Sequence, residues 1–425
     1  MKKYGVAAAL LIAAVVVWKL AILSPRRTAP SETVLTFWHI QNYSPTREVI
    51  DAAVKRFLAS HSGVEVKVTA MRNDDYKTKL ELAFRAGDPP DVFHTWGGGM
   101  LADKARAGLL LPLDPLFARP GFRDRILPAA LPFCFSGGKS WCVPADLSVV
   151  LFFYDRETFA KAGVEPPATF DELLAACRRL REKGVEPIAL GNMDRWPGCF
   201  YYVYGVVRNG GREAVRKAAA LEKGAFLSPA FVKAGEMIRG MVKAGCFNRG
   251  FQGMKTDASR RLLFTGKAAM TLMGTWFIAH AATESPAGLE RYGCFPFPAL
   301  GAPGGDDSAV VGGLNCAYAL SASCKHPDLA MDLLDCLTDA RFASDWAATG
   351  RIPAVKGAPP SSFNPLTRRA FEILSRASFI QMYFDQLFGP RLAEVHKDTC
   401  QALFSLSMDP RAVAEKLEET ASKLR

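Results

Sequence analysis

Six tryptophans follow residue 33, and they are the side chains that most directly suggest a binding chemistry. Two of them, Trp141 in a hairpin and Trp346 in helical sequence, are predicted to pack in the core. The other four lie at strand ends or in loops, where α/β sheets place their ligands: Trp38, Trp96, Trp196 and Trp276. An indole face stacks on the C–H face of a sugar ring, while neighbouring polar groups bind its hydroxyls. The four together therefore predict an aromatic cleft for a hydroxylated ring.

Two glycine-rich patterns resemble nucleotide-binding motifs of enzymes, but the sequence around each does not match the elements that such motifs need. Residues 97–102 fit GxGxxA with Asp114 further on, but they follow the third predicted strand instead of opening a βαβ unit. We interpret them as a tight turn whose N–H groups, at a helix start, can hold ligand oxygens. Residues 138–140 resemble the end of a P-loop, yet Phe133 stands where its leading glycine belongs. Since GxSxG and HExxH are also absent from the sequence, we predict no enzymatic activity and no cofactor.

The ten cysteines form no CxxC pair, and the six histidines are scattered without metal-ligand spacing. We therefore predict no metal site. Cys134 and Cys142 flank a hairpin-like turn at residues 136–139, which makes a disulfide between them plausible in an oxidising compartment. Cys177 and Cys336 lie on apolar helix faces and are predicted to be small buried hydrophobes. The cysteine pairing otherwise stays open at this point.

The N-terminus has the composition of an export signal. Lys2 and Lys3 precede an uncharged run over residues 4–18, which Lys19 separates from the apolar residues 20–23. No Ala-x-Ala site and no lipoprotein cysteine follow it. If Lys19 reaches the membrane surface, residues 4–23 are long enough to span a bilayer. A cleaved signal and a retained anchor both stay open, and both place the body of the protein outside the cytoplasm.

The net charge of +11 does not indicate nucleic-acid binding. Five of the positive charges surround the N-terminal apolar segment: Lys2, Lys3, Lys19, Arg26 and Arg27. The remaining excess is spread over helix faces on which acidic residues alternate with the basic ones, as at 178–182. We interpret these as solvated faces.

The elements that must position the tryptophans follow from hydrophobic periodicity. Strand-like and helical segments alternate from residue 34 to residue 94, which predicts α/β layers with a largely parallel sheet. A hairpin near residue 137 leads into a strongly apolar strand at 149–154. The sequence after residue 229 is mainly helical, with short strands near 269–272 and 317–320. A chain of 425 residues is also too long for one compact core.

Several motifs together resemble one family closely. The most specific run is Pro144-Ala145-Asp146, continuing to Phe152-Phe153-Tyr154-Asp155, although Leu151 stands where a smaller residue is usual. The chain resembles extracellular solute-binding protein family 1, the substrate-binding proteins of carbohydrate ABC importers, over nearly everything after residue 33. The other supporting segments are Thr36-Phe37-Trp38, Asp88-Pro89-Pro90-Asp91-Val92, Trp96-Gly97-Gly98-Gly99, Phe159-Ala160-Lys161, residues 264–270, Gly274-Thr275-Trp276, Gly312-Gly313 and Gly350-Arg351-Ile352-Pro353.

The resemblance implies a periplasmic-binding-protein-like type II fold, with two α/β lobes joined by a hinge and the ligand cleft between them. The composition described above predicts that residues 1–32 are a signal or anchor with a tether. The N-terminal lobe would comprise residues 33–145 plus 313–345, and the C-terminal lobe residues 146–312 plus 346–425. Hinge closure on the ligand would then present the closed form to a partner.

The resemblance also implies a set of ligand-binding residues. Trp276 and Trp196 would be stacking platforms, and Asp146, Asn315 and Arg351 would bind sugar hydroxyls. Asp257 is a further candidate. A structural salt link is the alternative role for Asp146 and Arg351. One wall and the crossover would be lined by Trp38, His39, Trp96, Gly97 and Asp146, and the other by Trp196, Trp276, Asn315 and Arg351.

The implied function is periplasmic binding of a mono- or oligosaccharide by a monomer and its delivery to the permease of an ABC importer. The alternative keeps the fold and changes the partner. A retained anchor would make the protein a membrane-tethered sugar sensor that presents its closed form to a receptor kinase. The sugar, its length and its linkage stay open at the level of sequence.

Overall fold

The computed structural model describes residues 33–425. The predicted signal or anchor and its tether, residues 1–32, lie outside the described residues. The α/β class predicted from the sequence is confirmed, because helices pack around one sheet of ten strands within the described part of the chain. No helix between residues 33 and 425 combines the length and the apolarity needed to cross a bilayer.

The described chain contains twelve strands, which we number in chain order. β1 to β12 are Thr33–His39, Val64–Ala70, Val92–Thr95, Phe135–Ser136, Lys139–Ser140, Val143–Asp155, Glu186–Ile188, Ala268–Gly274, Tyr292–Phe295, Val310–Leu320, Ile352–Pro353 and Ile380–Met382. β4 and β5 form a separate hairpin, and the path through the large sheet is β2-β1-β3-β10-β6-β8-β7.

Seventeen α-helices occur among the described residues. α1 to α17 are Thr46–Ser60, Asn73–Ala86, Gly98–Arg106, Asp114–Phe117, Phe122–Arg125, Arg156–Ala162, Phe170–Glu182, Trp196–Ala219, Pro229–Lys243, Thr256–Phe264, Trp276–Glu284, Pro327–Cys336, Ala340–Ala348, Pro365–Arg376, Phe384–Leu387, Pro390–Phe404 and Pro410–Ser422. α8 is kinked at Gly211, whose backbone is not helical.

The first lobe is built on β1, β2 and β3, which run parallel. The helices that follow β1 and β2 have one apolar stripe each, as α1 shows by burying Ile50, Val54 and Phe57. α12 and α13 return from the far end of the chain and pack on α1. Because the three strands are parallel, the segments that follow them all leave at the same edge of the sheet.

Two long strands, β6 and β10, connect the lobes. Residues 143–149 of β6 pair with β10, whereas residues 150–155 pair with β8 and β9 of the second lobe. Gly312 lies where the two strands approach closely, since a Cβ atom there would come within 2.3 Å of the Ser148 carbonyl oxygen. Twelve of the thirteen residues of β6 are buried, which explains its continuous apolar run.

The second lobe surrounds β7, β8 and β9. Its helix α7 begins with a capping box, in which Thr169 and Glu172 satisfy each other's backbone N–H groups. α14 packs on β9, and the terminal helices α16 and α17 pack on α8 and α9. α15 also touches α3 of the first lobe, so the C-terminal segment contacts both lobes.

Candidate functional site

A cavity of about 340 Å³ lies between the two lobes. Its first-lobe wall is formed by the segments that leave β1, β2 and β3, so the parallel strands bring them to one edge. The second-lobe wall comes from the starts of α8, α10 and α11 and from the segment that enters α15. The described lining residues are 40–43, 72–74, Lys77, Trp96, Asp194, Trp196, Phe200, Thr256, Asp257, Arg260, Trp276, His280, Glu284, Asn315, Arg351, Tyr383, Asp385 and Gln386.

The structure brings five of the nine sequence-predicted site residues to this cavity. Their side chains come from both walls and from the connecting segments: Trp96, Trp196, Trp276, Asn315 and Arg351. Asp257, the further candidate, also lines it. The other four predicted residues lie outside the lining: Trp38, His39, Gly97 and Asp146.

The second-lobe wall is an aromatic cluster centred on Trp276. Its ring centroid lies 6.1 Å from that of Trp196 and 6.4 Å from that of Tyr383. Gly274 makes room for it, because a Cβ atom there would come within 2.1 Å of the indole. The indole N–H of Trp196 is buried without a hydrogen-bond partner in the structure. A ligand oxygen would supply that partner.

Trp96 faces this cluster from the first lobe. The ammonium of Lys77 lies 4.8 Å from the centroid of its ring, a cation–π distance. Tyr76 supports the indole from the side in an edge-on contact, at 6.1 Å between centroids. The two walls therefore each present an indole held by its own lobe.

Arg351 reaches the cavity from a buried charge network. Asp146 accepts hydrogen bonds from the Cys316 backbone N–H at 2.5 Å, the Trp346 indole at 3.1 Å and Asn315 at 3.2 Å, with Arg351 at 3.4 Å. Arg351 also donates to the Tyr43 hydroxyl at 2.7 Å. Burial raises the pKa of Asp146, although Arg351 and these donors oppose that shift. Asp146 thus orients two cavity residues from behind the wall.

Besides the hydrogen bonds from Arg351 to Tyr43 and Gln41, two further contacts join the lobes across the cavity. The rings of Tyr43 and His280 are stacked, with centroids 4.4 Å apart. Arg72 and Asp257 form an ion pair at 3.3 Å whose partners are both about half exposed, so it contributes at most about 1 kcal/mol. His280 in turn hydrogen-bonds Glu284 at 2.7 Å. Burial raises the pKa of Glu284, but His280 and Arg260 outweigh it and lower that pKa to about 2.

Gly97 and its neighbours are explained by close packing. Gly97 has a φ of 74°, and a Cβ atom there would lie 2.4 Å from the Phe133 carbonyl oxygen. At Gly99 the same atom would lie 2.1 Å from the Leu387 carbonyl oxygen. Residues with side chains cannot adopt this arrangement without moving the backbone. The glycine run lets the start of α3 pack against α15 of the C-terminal segment.

His39 and Trp38 belong to the sheet of the first lobe. Trp38 is half-buried and packs against the core, next to Phe93 in the ladder. His39 is fully buried, and its Nδ1 accepts a hydrogen bond from the Gln41 backbone N–H at 3.1 Å. Burial, and secondarily the charge of Arg47, lower the pKa of His39 to about 3. Its imidazole is therefore neutral at physiological pH.

The buried His39 predicts a loss of stability in mild acid. Between pH 3 and 6.5 the unfolded state binds a proton at His39 that the folded state does not bind. Stability from this group is therefore complete above pH 6.5 and decreases as the pH falls below it, by about 2 kcal/mol between pH 7 and pH 5. Urea unfolding at pH 7 and at pH 5 measures the free energy of unfolding at each pH. The decrease between the two should be smaller by this amount in His39→Asn than in the parent protein. The same substitution at the exposed His326 is the control, and an unchanged pH dependence in His39→Asn would contradict the prediction.

Two core predictions about tryptophan are confirmed. Trp346 is fully buried and stacks on Phe342, and Trp141 packs half-buried against the core. Sequence reasoning missed other cavity residues, among them Tyr43, Lys77 and Tyr383. Tyr43 follows the end of a predicted strand, and Lys77 lies at the start of the helix after the next strand, a signal that could have found both. Tyr383 comes from a segment whose packing no local pattern indicated.

The sequence is similar to those of extracellular and periplasmic binding proteins. A family model of the bacterial extracellular solute-binding proteins matches residues 40–343, which is more than half of the chain. An uncharacterised ABC transporter extracellular-binding protein of Pyrococcus horikoshii is 25% identical over 362 residues, covering 83% of this chain and 78% of the relative. A probable sugar-binding periplasmic protein of Mesorhizobium japonicum is 25% identical over 345 residues, covering 79% and 80%.

Solved structures share the fold. A structure from work on xylan utilisation by Caldanaerobius polysaccharolyticus superposes with a TM-score of 0.83 at 29% identity, covering 91% of this chain and 99% of that one. A chitin oligosaccharide binding protein superposes with a TM-score of 0.84 at 24% identity, covering 92% and 98%. The predicted type II periplasmic-binding fold and the family resemblance are both confirmed. The chain belongs to the bacterial extracellular solute-binding proteins.

Proposed function

We propose that the protein binds a carbohydrate outside the cytoplasm and delivers it to an ABC importer by hinge closure. The observation that carries this proposal is the cavity between the lobes, with an indole on each wall. Trp276 and Trp196 would stack on the sugar from one lobe and Trp96 from the other. Asn315 and Arg351 would bind hydroxyls, and Asp146 would position both. Trp38, His39 and Gly97 are not proposed to contact the ligand.

The charges of the cavity favour a neutral ligand over an anionic one. This distinction matters because one relative, from Shigella flexneri and 25% identical over 360 residues, is an sn-glycerol-3-phosphate-binding periplasmic protein. Here the cavity arginines are already paired with carboxylates: Arg72 with Asp257, Arg260 with Glu284, and Arg351 with Asp146. A phosphate would also meet the carboxylates of Asp74, Asp194 and Asp385. A neutral ring with several hydroxyls can accept hydrogen bonds from the basic side chains of the lining and donate hydrogen bonds to the acidic ones.

The two-lobe division is likewise a proposal, with residues 33–145 plus 313–345 opposed to 146–312 plus 346–425. The change of pairing partners along β6 supports a hinge on this strand. The contacts of Tyr43 with His280 and of Arg72 with Asp257 would form on closure and break on opening. The closed form of a monomer would be the species that the permease recognises. The relatives named above give no support to the sensor hypothesis.

A thermal-shift screen over mono- and oligosaccharides tests the proposed ligand class. A sugar at a hundredfold excess over its Kd should raise the melting temperature by about 3 °C, since it binds only the folded state. sn-Glycerol-3-phosphate is the matched control and should give no shift. A shift with the phosphate, an amino acid or a polyamine but with no sugar would overturn the proposal. Incubation with the bound oligosaccharide should return no products, because we propose binding without turnover.

Gly274→Ala is expected to weaken sugar binding about tenfold. The added methyl group would occupy the space of the Trp276 indole, so the ring must shift out of its position on the cavity wall. Isothermal titration with the sugar found in the screen measures the effect. Gly240→Ala is the matched control, because no heavy atom lies within 4 Å of a Cβ atom at that site. Equal affinities of the two variants would show that Gly274 does not position the indole.

A further inference from the structure

Six of the ten cysteines form three pairs of spatial neighbours. The members of one pair are separated by a turn, and those of the other two pairs are far apart in sequence. The first pair closes the β4–β5 hairpin. Trp141 donates its backbone N–H to the Cys134 carbonyl oxygen at 2.9 Å, which brings Cys134 and Cys142 to adjacent ends of the two strands. Both side chains are fully buried, and burial together with the neighbouring Cys142 raises the pKa of the Cys134 thiol.

The second pair joins Cys177 on α7 to Cys246, which follows α9. Arg181, one turn after Cys177, donates to the Gly245 carbonyl oxygen at 2.8 Å and so holds the two segments together. Both side chains are fully buried, and the neighbouring Cys246 raises the pKa of the Cys177 thiol, with burial adding to the shift. Cys177 is buried in the core, as its helix face predicted, and it lies next to a second cysteine.

The third pair joins the first turn of α8 to the middle of α16. The sulfur atoms of Cys199 and Cys400 and a nitrogen of His396 all lie within 4.8 Å of one another. His396 precedes Cys400 by one helical turn, and its Nδ1 lies 3.5 Å from the Cys400 sulfur. All three side chains are buried.

The other four cysteines have different neighbours. Cys316 contacts the His94 imidazole at 3.4 Å, and Cys324, Cys336 and Cys294 lie near charged side chains. None of the interactions among residues 33–425 joins any of these four to another cysteine. The ten cysteines thus divide into three adjacent pairs and four separate thiols.

We propose that the exported protein contains three disulfide bonds, Cys134–Cys142, Cys177–Cys246 and Cys199–Cys400, and four free thiols. The proposal rests on the extracellular location of the family and not on the identity of the ligand. Disulfides persist in such oxidising compartments. Each bond lies within one lobe, so the three would stiffen the lobes without crossing the hinge. The Cys199–Cys400 bond would tie α16 to α8 across about 200 residues of sequence.

The oxidation is a thiol–disulfide exchange. One thiolate of the pair attacks the disulfide of an oxidant of the thiol–disulfide oxidoreductase class, and a mixed disulfide forms. The second thiolate then attacks the protein sulfur of that bond. The pair loses two electrons and two protons, and the oxidant leaves as a dithiol.

A metal ion is the competing occupant of the third pair. Structural zinc sites are four-coordinate, whereas this group offers three ligand atoms. Among the described residues, Cys199, His396 and Cys400 are the one group of three or more side chains that could together bind a metal ion. The other two pairs are adjacent cysteines without a histidine, so a common explanation covers all three. Disulfide formation is that explanation.

Thiol counting on the full-length protein, exported to a bacterial periplasm, tests the proposal. Under denaturing conditions without reductant we expect four reactive thiols, and ten after reduction. Peptide mapping by mass spectrometry should find the three named links. Ten thiols before reduction would overturn the proposal. Six thiols with one equivalent of bound zinc would overturn the Cys199–Cys400 bond in favour of a metal site.

Cys400→Ser tests the third bond separately. The variant should show five reactive thiols, and its melting temperature should be lower than that of the oxidised parent by roughly 6 °C. Cys336→Ser is the matched control on a helix and should show three thiols with an unchanged response to reductant. The counts are made on denatured protein, so they decide the question even if a variant folds poorly. A correct count with no sugar binding would leave this proposal intact while overturning the proposed function.

Discussion

Trp276→Ala is expected to weaken sugar binding about 100-fold, which corresponds to about 2.7 kcal/mol. The indole is the centre of the second-lobe wall and contacts Trp196, Phe200 and Tyr383. Its removal takes away the stacking face and leaves a gap between these three rings. The neighbouring side chains would also lose the support that fixes their orientation toward the ligand.

Titration calorimetry on the purified protein measures this loss. Trp38→Phe is the control, because Trp38 lies in β1 outside the cavity lining and should leave the affinity within a factor of two or so. A thermal melt of each variant separates loss of binding from loss of folding. If Trp276→Ala binds the sugar as tightly as the parent does, the aromatic wall is not the binding platform and the proposed ligand class loses its main support.

Asp146→Ala is expected to reduce the free energy of unfolding by about 3–5 kcal/mol. The substitution leaves the guanidinium of Arg351 buried without its counter-charge, and Arg351 is only 3% exposed. It also removes the acceptor of the Trp346 indole and of the Cys316 backbone N–H. Buried donors that lose their acceptor cannot form hydrogen bonds with water instead. Each therefore lowers the free energy of unfolding by its desolvation penalty.

Urea denaturation gives the size of this effect. Asp257→Ala is the matched control, because the carboxylate that it removes is about half exposed and its second partner, Arg260, keeps the ion pair with Glu284. The substitution should therefore cost at most about 1 kcal/mol. Arg351→Met added to Asp146→Ala should recover part of the loss, since it removes the uncompensated charge. Equal destabilisation by the two alanine substitutions would show that the network around Asp146 is not a buried structural unit.

Sequence reasoning was sufficient for features that depend on local pattern. Strand–helix alternation predicted a largely parallel sheet, which holds for β1, β2 and β3, whereas β6 runs antiparallel to β8, β9 and β10. The apolar run at 149–154 predicted a buried strand that is part of β6. The positions of Trp38, Trp96, Trp196 and Trp276 at strand ends or in loops predicted an aromatic cleft, because α/β sheets place their ligands there. All of these except Trp38 line the cavity. All of this follows from periodicity over a few residues.

Only the tertiary structure decided which polar residues face the cavity and which lie behind it. Asp146, Asn315 and Arg351 are far apart in sequence, and the pairing of β6 with β10 and β11 brings them together. Whether a carboxylate faces solvent or is buried depends on packing between distant elements, which periodicity does not encode. The same holds for Cys199 and Cys400, whose helices meet only after the C-terminal segment has packed on the second lobe.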